Sequence, residues 1–419
     1  MKFIHTADWH LGNKFHGHER TDEHRHFLDW LLGVLCQQQP DALLIAGDIF
    51  DTANPPAAAE QMLYDFFAEA TRRLPGLQIV AIAGNHDSAP RLEAPAALLK
   101  PHNIYIRGTV PRTEHDQPDY DHFLLPLSTR HSSEAVCVCY ALPFLRSCDY
   151  PAGMSAAEGL SLYFSNIRKH HRKSDFAGLP AICLAHFYAA GAEICAEEHS
   201  ERLVVGGQDC VPAEVLGKGI AYAALGHIHK AQSVGEGAAY YPGSPIPLSF
   251  SEKYYRRGVN LVEISAEGET AVTRLDYTPL RQVVTIPAKG RAATVSEVLD
   301  AIAALPDRQN GDDAAAWPYL EIKVEERQPE PTIMHTITEA LQSKAAHFCR
   351  MLRLQPESNA AAETESEAAL RETLADITPE EMLRRTFANL YKSDLPDALL
   401  DRFRKAEAEA EKRFDCFER

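Results

Sequence analysis

Short strings of Asp, Asn and His recur between Asp8 and His229, and each stands where an apolar, β-prone run stops. They are Asp8-Trp9-His10, Gly47-Asp48-Ile49-Phe50-Asp51, Gly84-Asn85-His86-Asp87, Ala185-His186-Phe187 and Gly226-His227-Ile228-His229. This placement constrains the fold more than any one string does, because polar groups so distant in sequence act together only if the runs before them lie side by side. The runs are Lys2 to Thr6, Ala42 to Ala46, Gln78 to Ala83, Ala181 to Ala185 and Ile220 to Leu225. Short, apolar and rich in β-formers, they read as strands buried on both faces.

Between them lie helical patterns. His24 to Gln38 and Pro56 to Leu74 carry apolar residues at three- and four-residue spacing, and the second opens on Pro55 and Pro56, where a first helical turn tolerates proline. Alternating strand and helix predicts a doubly wound α/β unit, in which ligands gather beyond the carboxyl ends of the strands. Every string sits at such an end.

Carboxylates, imidazoles and one amide make a mixed oxygen and nitrogen donor set without thiolate, which suits manganese, iron or zinc and not calcium. Residues two apart in extended chain share a side, so Asp8 with His10, and His227 with His229, can each aim two side chains into one cavity. Asp48 has two oxygens and can bridge ions about 3.5 to 4 Å apart, the separation of two-metal phosphoester chemistry. Each string alone has a plainer reading. Asp8 can be a turn aspartate, His10 a surface histidine, Gly84 to Asp87 a turn, and His186 a strand-end histidine satisfied locally. Only the ordered set argues for metal.

Five longer stretches carry a family resemblance: Asp8-Trp9-His10-Leu11-Gly12, Gly47-Asp48-Ile49-Phe50-Asp51-Thr52, Gly84-Asn85-His86-Asp87-Ser88, Ala224-Leu225-Gly226-His227-Ile228-His229 and Tyr241-Pro242-Gly243-Ser244-Pro245. They resemble the calcineurin-like metallophosphoesterase superfamily and, within it, the bacterial SbcD nuclease subunits. The resemblance spans nearly the whole chain and is looser after the first 255 residues. It implies an α/β fold of layered sandwich form, with a small α/β capping domain and C-terminal helices. It also implies two divalent ions, manganese foremost, one held by Asp8, His10, Asp48 and His229 and the other by Asp48, Asn85, His186 and His227. His86 corresponds to the histidine that contacts the scissile phosphate and protonates the leaving oxygen. Asp51 matches a position that orients this histidine, although a carboxylate there can equally support a metal ligand.

The resemblance further implies cleavage of DNA ends, hairpins and single strands, an SMC-like ATPase partner of the SbcC type, and a homodimer within a heterotetramer. Two other classes stay open. The same metal centre can serve a protein phosphatase or cyclic-nucleotide phosphodiesterase, or the chain can be a scaffold of low activity. Asp51-Thr52-Ala53 stands where protein phosphatases of the superfamily usually carry Asp-Arg-Gly, and Asp87 where they carry glutamate. A scaffold would lack a ligand or the His86 equivalent, and none is missing.

The net charge of -17 sits awkwardly with a DNA partner, since phosphate neutralisation supplies much of such affinity. Much of the acid is concentrated, however, at Glu357, Glu363, Glu365, Glu367, Glu372, Asp376, Glu380 and Glu381, faced there by Arg371. The run Arg168 to Lys173 is basic enough to meet a nucleic-acid backbone and equally reads as a solvated helix face. His16, His18, His24 and His26 cluster after the first string and read as loop and helix-start residues near the site mouth, not as ligands. Nine cysteines without CxxC spacing argue against a disulfide framework or thiolate zinc site and suggest a reducing cytoplasm. The first strand begins too early for a cleaved signal, and no apolar stretch reaches membrane-helix length, so no membrane association is expected.

The 419 residues suggest two or three domains. Residues 1–278 read as the phosphoesterase unit, closed by strands Gly258 to Ile264 and Ala271 to Asp276. Residues 279–354 form a capping module: strand Arg281 to Pro287, helix Ser296 to Leu305, strand Tyr319 to Glu325 and helix Ile333 to Phe348. An acidic linker follows over 355–377, then a helix pair over 378–419, which opens on Thr378-Pro379 and breaks at Asp394-Leu395-Pro396. Two such helices cannot bury their apolar faces alone and must dock on their own chain or on a partner.

Overall fold

Phe3 and Ile4 are adjacent and both inaccessible to solvent, yet they belong to different cores. Successive side chains of a strand face opposite ways, so a strand apolar throughout needs cover on both sides. The computed structural model describes residues 1–193, 211–217, 219–235, 239–288, 292–309, 313–326 and 331–354, and positions 383, 384, 387, 396, 399, 400, 402 and 403. From the N-terminus come β1 (Lys2–Thr6), the hairpin β2 (Lys14–Phe15) and β3 (His18–Glu19), α1 (Thr21–Gln38), β4 (Ala42–Ala46), α2 (Ala57–Arg73) and β5 (Gln78–Ile82). Two short helices, α3 (Ala89–Glu93) and α4 (Ala96–Leu99), lead to β6 (Ile104–Arg107), β7 (Leu124–Ser128) and β8 (Ala135–Ala141). Then follow α5 (Ala156–His171), β9 (Ala181–His186), β10 (Ile220–Gly226), β11 (Gln232–Val234), β12 (Ala239–Tyr241), β13 (Gly258–Ile264) and β14 (Thr270–Asp276). The described elements close with β15 (Val283–Ile286), α6 (Val295–Ala303), β16 (Tyr319–Glu325), α7 (Ile333–Leu341) and β17 (His347–Leu354).

Two six-stranded sheets, ordered β14-β13-β1-β4-β5-β6 and β11-β12-β10-β9-β8-β7, pack face to face. Phe3, Leu44, Val80 and Ile82 of the first meet Leu127, Cys139, Leu184 and Tyr222 of the second. The alternate residues Ile4, Leu43, Ile45 and Ile79 turn outward onto α1 and α2, and Val138, Tyr140, Cys183 and Ala223 turn outward onto α5. The layers are therefore helix, sheet, sheet, helix. This is the layered α/β sandwich that the resemblance implies; the doubly wound unit read from the alternating pattern is divided between two sheets, because β9 and β10 pair in a sheet separate from β1, β4 and β5. A strand apolar on both faces is satisfied by helices on both sides, or by a helix on one side and a sheet on the other; its own sequence does not distinguish them.

The last three strands form a parallel sheet of their own, β15-β16-β17, with α6 and α7 packed on it. The helix expected over Ile333 to Phe348 stops at Leu341, and β17 takes up His347–Leu354. Its backbone pairs along β16, an edge whose donors and acceptors local helical periodicity cannot register. A buried charge network secures this sheet within the compact unit Met1–Leu354. Glu23 accepts from Arg20 at 2.6 and 3.0 Å and from the Tyr319 hydroxyl at 2.7 Å, with Arg281 3.5 Å away. The linker over 355–377 lies outside the described residues, as does most of the helix pair, of which the described positions other than Pro396 are helical.

Breaking a buried network by removing one charge costs about 3–5 kcal/mol. Glu23→Ala is expected to lower the unfolding free energy from urea titration by that order, whereas Glu69→Ala, which releases only the surface arginines Arg72 and Arg73, leaves it in place. Equal effects of the two would remove the network's role. His5 offers a pH test. Buried against the Tyr222 hydroxyl at 2.9 Å, its imidazole is pushed down to about 3, by burial first and then by Arg274. An unfolded histidine titrates near 6.5, so this stability is fully present above that pH and declines as pH falls toward 3, by about 1.4 kcal/mol per pH unit. His5→Gln is expected to flatten that decline in denaturation curves taken between about pH 6.5 and 4.5; an unchanged slope would assign it to another group.

Candidate metal centre

The seven expected ligands stand at strand ends from both sheets: Asp8 and His10 after β1, Asp48 after β4, Asn85 after β5, His186 closing β9, and His227 and His229 after β10. The chain must reverse sharply there. Asp8, His10, Asp48 and His227 adopt φ of 54°, 46°, 49° and 102°, a region that costs a non-glycine residue about 1–3 kcal/mol. Main-chain bonds hold these turns against one another. The Asp8 and His10 amides donate to the carbonyls of Gly47 (3.1 Å) and Asp48 (3.0 Å), and Leu11 donates to Ile49 (2.9 Å). Glycine in the strings reflects close approach: a Cβ on Gly84 would overlap the Asp48 carboxylate, and one on Gly226 would overlap the Ala46 carbonyl.

Each aspartate commits one oxygen to the scaffold. Asp8 Oδ1 accepts from the His227 amide and Asp48 Oδ1 from the His86 amide, both at 2.9 Å. The other oxygens face the cavity. Asp48 Oδ2 lies 3.3 Å from His186 Nε2 and 3.8 Å from His10 Nε2, between two donor groups, Asp8–His10–His229 and Asp48–His186–His227, each with its ligand atoms within 4.8 Å of one another. Asn85 Oδ1 is 3.0 Å from both His186 Nε2 and His227 Nδ1.

The outer ring nitrogens are anchored. His186 Nδ1 donates to the Ala46 carbonyl at 2.8 Å, and His10 Nδ1 lies 3.2 Å from Asp51 Oδ1. In neutral His186 the lone pair of Nε2 then faces the oxygens of Asp48 and Asn85, an arrangement that asks for a cation between them. Among the buried polar atoms, Asp8 Oδ2 and His10 Nε2 have no hydrogen-bond partner. These orphans and the oxygen and nitrogen donor set fit divalent metal ions.

The electrostatics agree. Burial alone would raise Asp48, yet His186 beside it holds the carboxyl well below the usual range. Burial would lower His186, yet Asp48 lifts it to about 9, while burial and then His186 press His227 down to about 3. Protein charges alone thus hold a proton on His186, against the Asp48 carboxylate.

His86 is half-buried, with its ring edge-on to His10 at 4.8 Å. Its Nδ1 donates to the main-chain carbonyl of Asp51 at 2.8 Å, while the Asp51 carboxylate turns to His10 and to the Asn13 amide at 3.0 Å. Of the two readings of Asp51, the geometry gives the side chain to the ligand and the main chain to His86. Asp87 has a place at the site that no sequence pattern assigned to it. Its buried carboxylate accepts from Gly84 (2.9 Å), Phe50 (2.9 Å) and Ile49 (3.2 Å), binding two of the turns together; burial and then Asp48 raise it to about 6. An aspartate closing its own turn was the available signal, but the partner turn lies in a distant string.

The histidines after the first string stay outside the donor groups: His16 packs on Phe15 and Phe250, His18 reaches the Phe348 carbonyl, His24 is buried, and His26 bonds the Tyr277 hydroxyl. Within the basic run, Arg168 bonds the Leu216 carbonyl, His170 meets Asp121, and His171 is buried on Tyr140.

The family model of calcineurin-like phosphoesterases matches residues 1–231, and that of the Type 5 capsule protein repressor C-terminal domain, SbcD_C, matches residues 279–391. The SbcD subunit of nuclease SbcCD from Rhodobacter capsulatus is 35% identical over 398 residues, 92% of this chain and 94% of that protein. The chain belongs to the SbcD family of nuclease subunits. The SbcD of Escherichia coli K12 is 30% identical over 93% of each chain, and that of Bacillus subtilis 33% identical over 77% of this chain and 79% of its own. As a member of the SbcD family, the chain is a metal-dependent nuclease on a calcineurin-like phosphoesterase domain.

Gly84→Ala is expected to displace the Asp48 carboxylate and weaken divalent-metal binding at least about tenfold by calorimetry, with the far-ultraviolet circular dichroism unchanged. Parental affinity would show that the turn yields without moving Asp48.

Proposed function

We propose that this chain hydrolyses DNA phosphodiesters at ends, hairpins and single strands with two divalent ions, manganese foremost. The observation that carries the reading is Asp48 Oδ2, 3.3 Å from His186 Nε2 in its own donor group and 3.8 Å from His10 Nε2 in the other, with Asp8 Oδ2 and His10 Nε2 lacking hydrogen-bond partners. One ion would be held by Asp8, His10, Asp48 and His229, the other by Asp48, Asn85, His186 and His227. Bound there, such ions supply Lewis acidity toward a phosphate and a water of lowered pKa.

The remaining roles fall to the chain itself. His86, its Nδ1 engaged by the Asp51 carbonyl, keeps Nε2 for the substrate and delivers a proton to the leaving oxygen. Asp51 holds the His10 ring, and Asp87 keeps the turns of Asp48 and His86 in register. The sheet of residues 279–354 serves as the cap that positions DNA, and 378–419 as the helix pair that grips an SMC-like ATPase of the SbcC type, within a heterotetramer containing two copies of this chain. The name of the relatives, which makes each a subunit of an SbcCD nuclease, supports the partnership. Residues 357–381 hold eight acidic side chains against Arg371, so seven of the 17 net negative charges lie in a stretch away from the sequence of the metal centre. A reducing cytoplasm suits its nine cysteines.

Manganese-dependent cleavage of an end-labelled hairpin duplex is expected from the purified chain, with a loss of at least about a hundredfold in His86→Asn and no cleavage in Asp8→Ala. Brisk turnover of a phosphomonoester with no DNA cleavage, even with an SbcC-type partner and ATP, would keep the centre and overturn the substrate.

A further inference from the structure

We infer that Glu252 is a positioning residue for the metal centre: its carboxylate holds the His229 ring so that Nε2, not Nδ1, is offered to an ion. The inference rests on the two-ion reading above and deepens it. His229 Nδ1 lies 3.1 Å from Glu252 Oε1, both side chains being nearly inaccessible to solvent. An imidazole that donates Nδ1–H to a carboxylate keeps its lone pair on Nε2, has its plane fixed, and becomes a more basic ligand.

The frame around Glu252 is built to keep that carboxylate still. Glu252 lies in the middle of a single 3-10 turn, Phe250–Tyr254. Its Oε2 accepts from Arg257 at 3.0 Å and from the Leu248 amide at 3.1 Å, with the Ser244 hydroxyl at 3.5 Å. Arg257, also buried, returns to the Glu252 carbonyl at 2.7 Å and to the Ser244 hydroxyl at 2.6 Å. The turn is gripped from its other side by the small sheet: Phe250 packs with Phe15 and Tyr319, and Lys253 donates to Thr285 at 3.0 Å.

A buried ion pair is poor evidence of stabilisation, since apolar residues of similar volume commonly serve as well. One whose other oxygen meets the imidazole of an expected ligand has a use beyond stability. Glu252 also completes a pattern. His10 and His186 each have an acceptor on the outer nitrogen, the Asp51 carboxylate and the Ala46 carbonyl. Asp51 is 26% exposed and Glu252 only 2%, so the Glu252–His229 pair is the less screened of the two carboxylate–imidazole contacts.

The test uses the full chain with Mn2+ as probe, counted by calorimetry and by the electron paramagnetic resonance of free Mn2+. The parent is expected to bind two ions. Glu252→Gln should keep one site at parental affinity and weaken the other about 10–100-fold, with hairpin cleavage restored by excess Mn2+, so that the metal requirement rises and the rate at saturation stays. A loss of rate that no Mn2+ concentration restores, or parental binding at both sites, overturns the role of Glu252. Should the variant misfold, the parent still decides the matter. Its histidine-labelled 15N spectrum with Zn2+ as diamagnetic probe, assigned by His229→Gln, should show His229 protonated on Nδ1; a proton on Nε2 overturns the inference. Failure of the underlying reading looks different: Asp8→Ala would then bind Mn2+ as the parent does.

Discussion

Lone pairs facing lone pairs, on side chains that are mostly buried, are the constraint from which the rest of this structure follows. Asp8 Oδ2, Asp48 Oδ2, Asn85 Oδ1 and the inner nitrogens of His10 and His186 converge there, and Asp8 Oδ2 and His10 Nε2 find no hydrogen-bond partner among the protein atoms. Such a cluster holds together only if its members are prevented from turning away. The aspartates and histidines are therefore tethered by their second atoms: a carboxylate oxygen to a neighbouring turn's amide, or an outer ring nitrogen to a carbonyl or carboxylate.

The tethers in turn require turns that ordinary loops avoid. Four left-handed residues at about 1–3 kcal/mol each amount to a sizeable fraction of the 5–15 kcal/mol by which domains are usually stable. The strands behind them bear it. β1, β4, β5, β9 and most of β10 are buried along their length between a helix layer and the opposing sheet, so a turn that relaxed would drag core side chains with it. Strain is tolerable at a site whose foundations are apolar on both faces.

What the chain disclosed in advance, and what it withheld, divides along the same line. Five buried strands and their polar ends were legible because periodicity and composition are local. The assignment of β9 and β10 to a second sheet was not, since Ile182 and Leu184 read the same whichever layer covers them. β17 was missed because His347 to Leu354 owes its conformation to β16. The seven candidate donors could be picked out as residue types in order, whereas the contacts of Asp87 and Glu252 and the division of Asp51 between side chain and main chain depend on partners in other strings. Support for a ligand is written in three dimensions more than in sequence.

The position of β1 carries a consequence for the newly made chain. It is the earliest strand in the sequence, but its neighbours are β4 on one side and β13 on the other, the latter pairing Lys2 with Glu263. His227 and His229, too, lie more than two hundred residues beyond Asp8. Contacts of such sequence separation form late and slowly, after most of the intervening chain exists to be closed into loops. A ribosome-bound fragment that ends before His227 thus lacks two of the seven expected ligands, and one that ends before β13 leaves β1 an open sheet edge. An enzyme able to cut the genome of its own cell becomes armed only once nearly the whole catalytic unit has been made.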